Sequence, residues 1–180
     1  MVEGYDIIVR WVSFPLHPET PPEGRSLEEL FAGQPIDLEQ VKKRLSQVAE
    51  AEGLPFSPGR GMTYNSRLAQ ELGKWAEEQG LGEEFHEAAF RAYFVDNRNI
   101  GLIEELVDLA ESIGLDGAQA KKVLAERTCS AQVDEDWAYS REHGVMAVPT
   151  FMAGGRKVVG AQPYETLAQL VEAAGAKPRN

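Results

Sequence analysis

The sequence predicts an α/β protein whose strands stand at the two ends of a long helical run. Three observations carry this. The stretch Tyr5–Phe14 is rich in β-branched and aromatic residues and stops at Pro15, as a strand does. From Ser26 to about His143 apolar residues recur every three or four positions, the period of amphipathic helices. After Gly144 the pattern changes to two short strands around Gly154-Gly155, followed by one more helix.

Composition narrows the function classes. The 180 residues carry 18 Lys and Arg against 29 Asp and Glu, a net charge of −11, which argues against nucleic-acid binding because phosphates attract cations. Hydrophobic residues make up 43%, enough for a packed core. No apolar run approaches the roughly 20 residues needed to span a bilayer, so no membrane role is expected. One cysteine, Cys129, excludes an internal disulfide, a multi-cysteine zinc site and a dithiol pair made within this chain. The polar, acidic start Met1–Tyr5 lacks the basic-then-apolar pattern of a secretory leader, which points to the cytoplasm.

Taken in order, Tyr5–Phe14 is apolar on both alternating sets and reads as a strand covered on both faces. Pro15, Pro18, Pro21 and Pro22 forbid a helix next and favour a stiff loop. Ser26 with Glu29, Asp37 with Gln40, and Asp116 with Gln119 have capping-box spacing. Leu38, Val41, Leu45 and Val48 predict a buried stripe on a helix that stops at Gly53. Further helices are marked by Leu68, Leu72, Trp75 and Ala76, by Phe85, Ala88, Ala89 and Tyr93, and by Ile103, Leu106, Leu109, Ala110 and Ile113. Val123 with Leu124, and Val133 with Trp137 and Ala138, mark two more. Pro163 suits the first position of the last helix, whose predicted buried face is Tyr164, Leu167, Leu170 and Val171, with Gly175 as its stop and a frayed tail beyond. Trp11, Trp75 and Trp137 read as core, and the acidic runs Glu77-Glu78 and Asp134-Glu135-Asp136 as solvated helix faces.

The stretch Gly144–Pro163 is the most informative for chemistry. Pro149, just ahead of a hairpin strand, restricts Val148 and removes a ladder donor. A cis Val148-Pro149 bond would suit such an entry, yet only about 5–6% of X–Pro bonds are cis, so spacing alone favours a trans proline at an edge. Gly144-Val145, Val148-Pro149-Thr150-Phe151 and Gly160-Ala161-Gln162-Pro163 together resemble the C-terminal signature of the DsbA-like thioredoxin superfamily, and its FrnE-like branch of thiol-disulfide oxidoreductases most closely. Phe14-Pro15-Leu16-His17-Pro18-Glu19 with Gly24 is similar to that branch's segment after the second strand. Phe90-Arg91-Ala92-Tyr93-Phe94 with Asn99-Ile100-Gly101 is similar to its helical insert.

The resemblance implies a thioredoxin-like fold with a large α-helical insertion: residues 1–24 and 144–180 form an incomplete thioredoxin-like domain and residues 25–143 the insertion. It implies that Pro149 is the family's cis-proline, with Val148 preceding it, and that Val148, Pro149 and Thr150 flank the site where an extended polypeptide thiol or disulfide substrate binds. In the family a CxxC pair at a helix N-terminus, where the helix dipole stabilises a thiolate, performs the exchange. This chain begins at the strand matching the family's second, so its first strand, first helix and both catalytic cysteines are expected to be missing, by truncation or by natural loss. No catalytic residue is therefore assigned, and the chain is expected to be inactive in this form. An uncovered sheet edge recruits other strands, so a homodimer through it is expected.

Cys129 is the one candidate reactive thiol: it lies at a helix junction beside Arg127, although an ordinary half-buried thiol is the simpler reading. His17, His86 and His143 are scattered and show no metal-ligand spacing, so no metal and no cofactor are expected. Gly154-Gly155 is a turn and lacks any phosphate-loop pattern. The leading function is DsbA/FrnE-like disulfide exchange on polypeptides. A non-catalytic polypeptide-binding or chaperone-like module is the alternative. An isomerase of the glutathione transferase kappa or hydroxychromene-carboxylate type fits Gly160–Pro163 less well.

Overall fold

Ser26 opens the first helix as its spacing predicts. Its hydroxyl accepts from the Glu29 amide at 3.0 Å while the Glu29 carboxylate accepts from the Ser26 amide at 3.2 Å, a closed capping box. Asp37 and Asp116 likewise accept from the amides of Gln40 and Gln119, at 3.1 and 2.8 Å. The computed structural model describes residues 4–179; the leader reading of Met1–Glu3 and the end of the tail at Asn180 lie outside them. The chain divides into two units, His17–Val133 and Met1–Leu16 with Asp134–Asn180.

In the first unit β1 (Arg25–Ser26) pairs antiparallel with β2 (Met62–Thr63), a two-residue ladder too short to leave a sequence signal. Helices α1 (Leu27–Leu30), α2 (Leu38–Ala51), α3 (Arg67–Glu78), α4 (Gly82–Phe94), α5 (Ile103–Ser112) and α6 (Gly117–Glu126) follow. The core is built from the expected stripes: Leu72, Trp75, Phe85, Leu106, Leu109 and Leu124 are buried together with Ala76 and Ala110. The proline loop joins this unit because Asn65 donates to the carbonyls of Pro18 and Thr20, at 3.0 and 2.9 Å, and Asn99 to that of Pro22 at 2.9 Å. Gly24 is required where it stands. Its φ is +91° and a Cβ would meet the Tyr64 ring at 2.5 Å.

The α2 stripe corrects an expectation. Val41, Leu45 and Val48 are exposed and α2 buries no residue, because the amphipathic pattern gives a helix its apolar face but does not supply an element to cover it.

In the second unit β3 (Thr150–Ala153) and β4 (Arg156–Val159) form the expected hairpin, with Thr150 opposite Val159 and Ala153 opposite Arg156. Helix α7 (Ser130–Glu142) starts in the first unit, and its residues from Asp134 onward belong to the second, which ends with α8 (Tyr164–Ala173). Two expectations fail here. Tyr5–Phe14 forms no strand beyond a single bridge from Tyr5 to Pro178, and Ile8 and Trp11 are exposed, because a strand needs a neighbour for its backbone groups whatever its side-chain propensity. The tail is anchored rather than frayed: Asp6 donates to Lys177 and Arg179 to Gly4, at 3.0 and 2.9 Å. On α8, Ala168 and Leu170 are buried while Tyr164 is exposed, and Pro163 serves as the N-cap.

Asp136 overturns another expectation. It is buried, not solvated, since its carboxylate accepts from Arg10 at 3.0 Å and from the Ser13 amide at 2.9 Å. These bonds, with Ser140 donating to the Ser13 carbonyl at 3.4 Å, hold the segment after Ile8 against α7.

Candidate functional site

The loop Val145–Thr150 is held at both ends by its own backbone. Gly144, at φ +59°, ends α7, and the Val145 amide returns to the Ser140 carbonyl at 2.9 Å. The Val148–Pro149 peptide is cis. The Pro149 carbonyl accepts from the Gly160 amide at 2.8 Å, and the Thr150 hydroxyl donates to the Ala147 carbonyl at 2.6 Å, so the three residues Val148, Pro149 and Thr150 stand in one braced turn.

Lys157 of β4 completes the brace. Its ammonium donates to the carbonyls of His143 and Gly144, at 3.1 and 2.8 Å, a cation against the carbonyl end of α7. Sequence reading missed this residue, because a hairpin lysine carries no mark of the helix end it will cap. The loop's apolar side chains face outward: Met146 is 89% and Val148 44% exposed, and Phe151 and Val159 are exposed beside them on the hairpin. Among the described residues β3 pairs only with β4, leaving its other edge open. A braced turn with apolar side chains and an open edge can take an extended chain by strand addition.

Cys129 belongs to the other unit and lies in its core, only 4% exposed. Burial pushes its thiol up from the ordinary value of 9.0; the Thr128 hydroxyl opposes this, while Glu78 and Glu71 reinforce it. The neighbouring Arg127, the basis for expecting an activated thiol, is committed elsewhere. Its Nε and Nη2 donate to the two Glu71 carboxylate oxygens, each at 2.6 Å. Glu71, 1% exposed, also accepts from Arg67 Nε at 2.5 Å. Burial would raise this carboxyl, but the bonds from Arg127 and Arg67 outweigh it and hold the group below its usual value. Among the described residues no three His, Cys, Asp or Glu side chains gather as metal ligands would. No helix among them is long and apolar enough to cross a membrane.

A proline turn leading through a hairpin into a terminal helix, with a helical unit carried between the two arms, defines a thioredoxin-like protein of the DsbA type. Residues 1–172 match the DSBA-like thioredoxin domain, and the chain belongs to that family. It is 30% identical over 162 residues to YwbO of Bacillus subtilis (strain 168), covering 89% of this chain and 78% of that protein. A probable DsbA oxidoreductase from Streptomyces coelicolor is similar in structure, with a TM-score of 0.84 and 29% identity over 91% of this chain and 74% of that one. The cytosolic disulfide reductase DsbM from Pseudomonas aeruginosa shares the fold at a TM-score of 0.56 and 21% identity, over 76% of each chain.

Proposed function

We propose that this chain engages extended polypeptide thiols and disulfides at Val148, Pro149 and Thr150, in the manner of a FrnE-like disulfide oxidoreductase, and completes no dithiol cycle by itself. In this reading a helical insertion, expected over residues 25–143, interrupts a thioredoxin-like frame expected over residues 1–24 and 144–180; the compact helical unit itself spans His17–Val133. The observation that carries it is the pairing of a braced, outward-facing apolar turn with a single, buried thiol. Exchange requires a thiolate to attack a disulfide sulfur, giving a mixed disulfide and a released thiolate; a second thiol must then attack the first thiol's sulfur, closing a disulfide between the two and releasing the substrate's remaining thiolate. This chain offers one thiol, and burial keeps it protonated and covered.

The Gly160–Pro163 segment supports the FrnE-like branch over the isomerase one. We place the protein in the cytoplasm, in keeping with the description of the similar disulfide reductase DsbM as cytosolic. Recovery in a secreted or membrane fraction would reject that placement. Binding without exchange is the second reading, favoured by the exposure of Met146 and Val148.

The test uses a fluorescent, unfolded polypeptide with its cysteines blocked, titrated with the intact chain. The expected result is saturable binding that Val148→Asp weakens about tenfold, since a charge then faces apolar contacts. Binding unchanged by Val148→Asp and by Met146→Asp would remove the turn from the site.

A further inference from the structure

Among the described residues, the segment around Ile8 joins exposed apolar side chains to unpaired backbone groups. Ile8 is 99% exposed, Val9 beside it is exposed, and the backbones of Ile8, Val9 and Arg10 make no hydrogen bond to other described residues. Apolar side chains beside unpaired backbone groups attract a strand. We infer that the strand attracted is the same segment of a second copy, paired antiparallel about a two-fold axis through Ile8. This goes beyond the disulfide-exchange reading and does not depend on it.

The register follows from charge and size. Centred on Ile8, Asp6 faces Arg10 of the second copy and Arg10 faces its Asp6, while Ile7 faces Val9 and Tyr5 faces Trp11. Every neighbouring centre is worse. Centres at Asp6 or Arg10 oppose like charges, and centres at Ile7 or Val9 set Asp6 and Arg10 against uncharged residues. Each two-fold pairing in the chosen register thus gains two opposite-charge contacts flanking an apolar middle.

Both charges are available. The Asp6 side chain is 88% exposed, with Arg179 no nearer than 3.8 Å. Arg10 is 66% exposed, and while one nitrogen holds Asp136 its guanidinium keeps further donors for a second carboxylate. The Asp6 amide is already bonded to Lys177, so where Ile8–Arg10 of one copy pair with Asp6–Ile8 of the other, Asp6 takes part through its carbonyl. Opening the turn closed by the Ile7 amide on the Tyr5 carbonyl at 3.1 Å would lengthen the ladder.

Sedimentation equilibrium of the intact chain tests this, together with two variants away from the proline turn. The expected outcome is a reversible dimer, weakened about tenfold by Asp6→Arg, which turns both symmetric attractions into repulsions. In Ile8→Cys, directly opposed positions at the axis should cross-link into a covalent dimer on a non-reducing gel after mild oxidation with oxidised glutathione, while the parent chain with buried Cys129 stays uncrosslinked. A monomer at tens of micromolar whose Ile8–Arg10 amides are nonetheless protected from hydrogen exchange would mean that the chain's own residues cover the edge, and would overturn the proposal. So would a dimer indifferent to Asp6→Arg in which Ile8→Cys forms no cross-link, since that dimer uses another face.

Discussion

The ammonium of Lys157 lies 2.8 Å from the Gly144 carbonyl, so the second strand of the hairpin is fastened to the end of α7 and the proline turn is stretched between them. Without it, the carbonyls at the end of α7 would face water and the turn would lose one of its braces. Lys157→Met keeps the length of the stem and removes the donor. It is expected to lower stability by about 1 kcal/mol, the scale of an exposed charged hydrogen bond, and the melting temperature by roughly 2–4 °C. The same variant should weaken polypeptide binding more than its small stability loss explains. A thermal melt paired with the binding titration checks both.

Glu71 with Arg67 and Arg127 is a buried carboxylate between two guanidinium groups. Glu71→Ala leaves two cations facing an empty site and should cost on the order of 3–5 kcal/mol. The pH dependence has a definite sign. The folded carboxyl is held below its ordinary value of 4.5, so the stabilisation is fully present above that value and is lost as the pH falls through the lowered folded value. Urea unfolding at pH 7, 4.5 and 3 should show the parent chain losing more stability than Glu71→Gln across that interval. Equal losses would exclude Glu71 from the acid response.

Tyr5 donates a short hydrogen bond to Glu172, and this bond, with burial and the carboxylate's charge, pushes its phenol up to about 12. Tyr5 should therefore ionise late in a spectrophotometric titration. Because the folded value is raised, the linked stabilisation is complete below the ordinary value of 10.0 and disappears as the pH rises through about 12. Glu172→Gln should bring Tyr5 back toward its ordinary value of 10.0.

Cys129 should be inert while the chain is folded. Burial raises the thiol, so alkylation by iodoacetamide at pH 8 is expected to be slow in the native state and to reach one equivalent per chain in denaturant. Rapid labelling of the folded chain would contradict the burial of its side chain in the helical core.

Much of the fold was legible because it is encoded locally. Ser26, Asp37 and Asp116 cap helices by contacts three residues away, and the Leu72, Leu106 and Leu124 stripes describe faces that a helix presents wherever it docks. What failed depended on partners distant in sequence. Tyr5–Phe14 has strand propensity but pairs with no strand among the described residues beyond the bridge at Tyr5, and the α2 stripe has an apolar face without cover. Asp136 looked like one of three solvated acids until Arg10 and Ser13, more than 120 residues earlier, proved to be its partners. At the proposed site, Val148-Pro149-Thr150 forms a pattern visible in the sequence. Lys157 does not, since its role depends on where the hairpin folds back.

The central claim is that the chain presents a DsbA-like polypeptide-binding turn without a dithiol to act through it. Insulin reduction in the presence of dithiothreitol, followed by turbidity, tests it most directly. The expected time course is identical to the uncatalysed control at any concentration of the chain. Acceleration proportional to the amount of chain, and abolished by Cys129→Ala, would show that its single thiol suffices for turnover and would contradict the account.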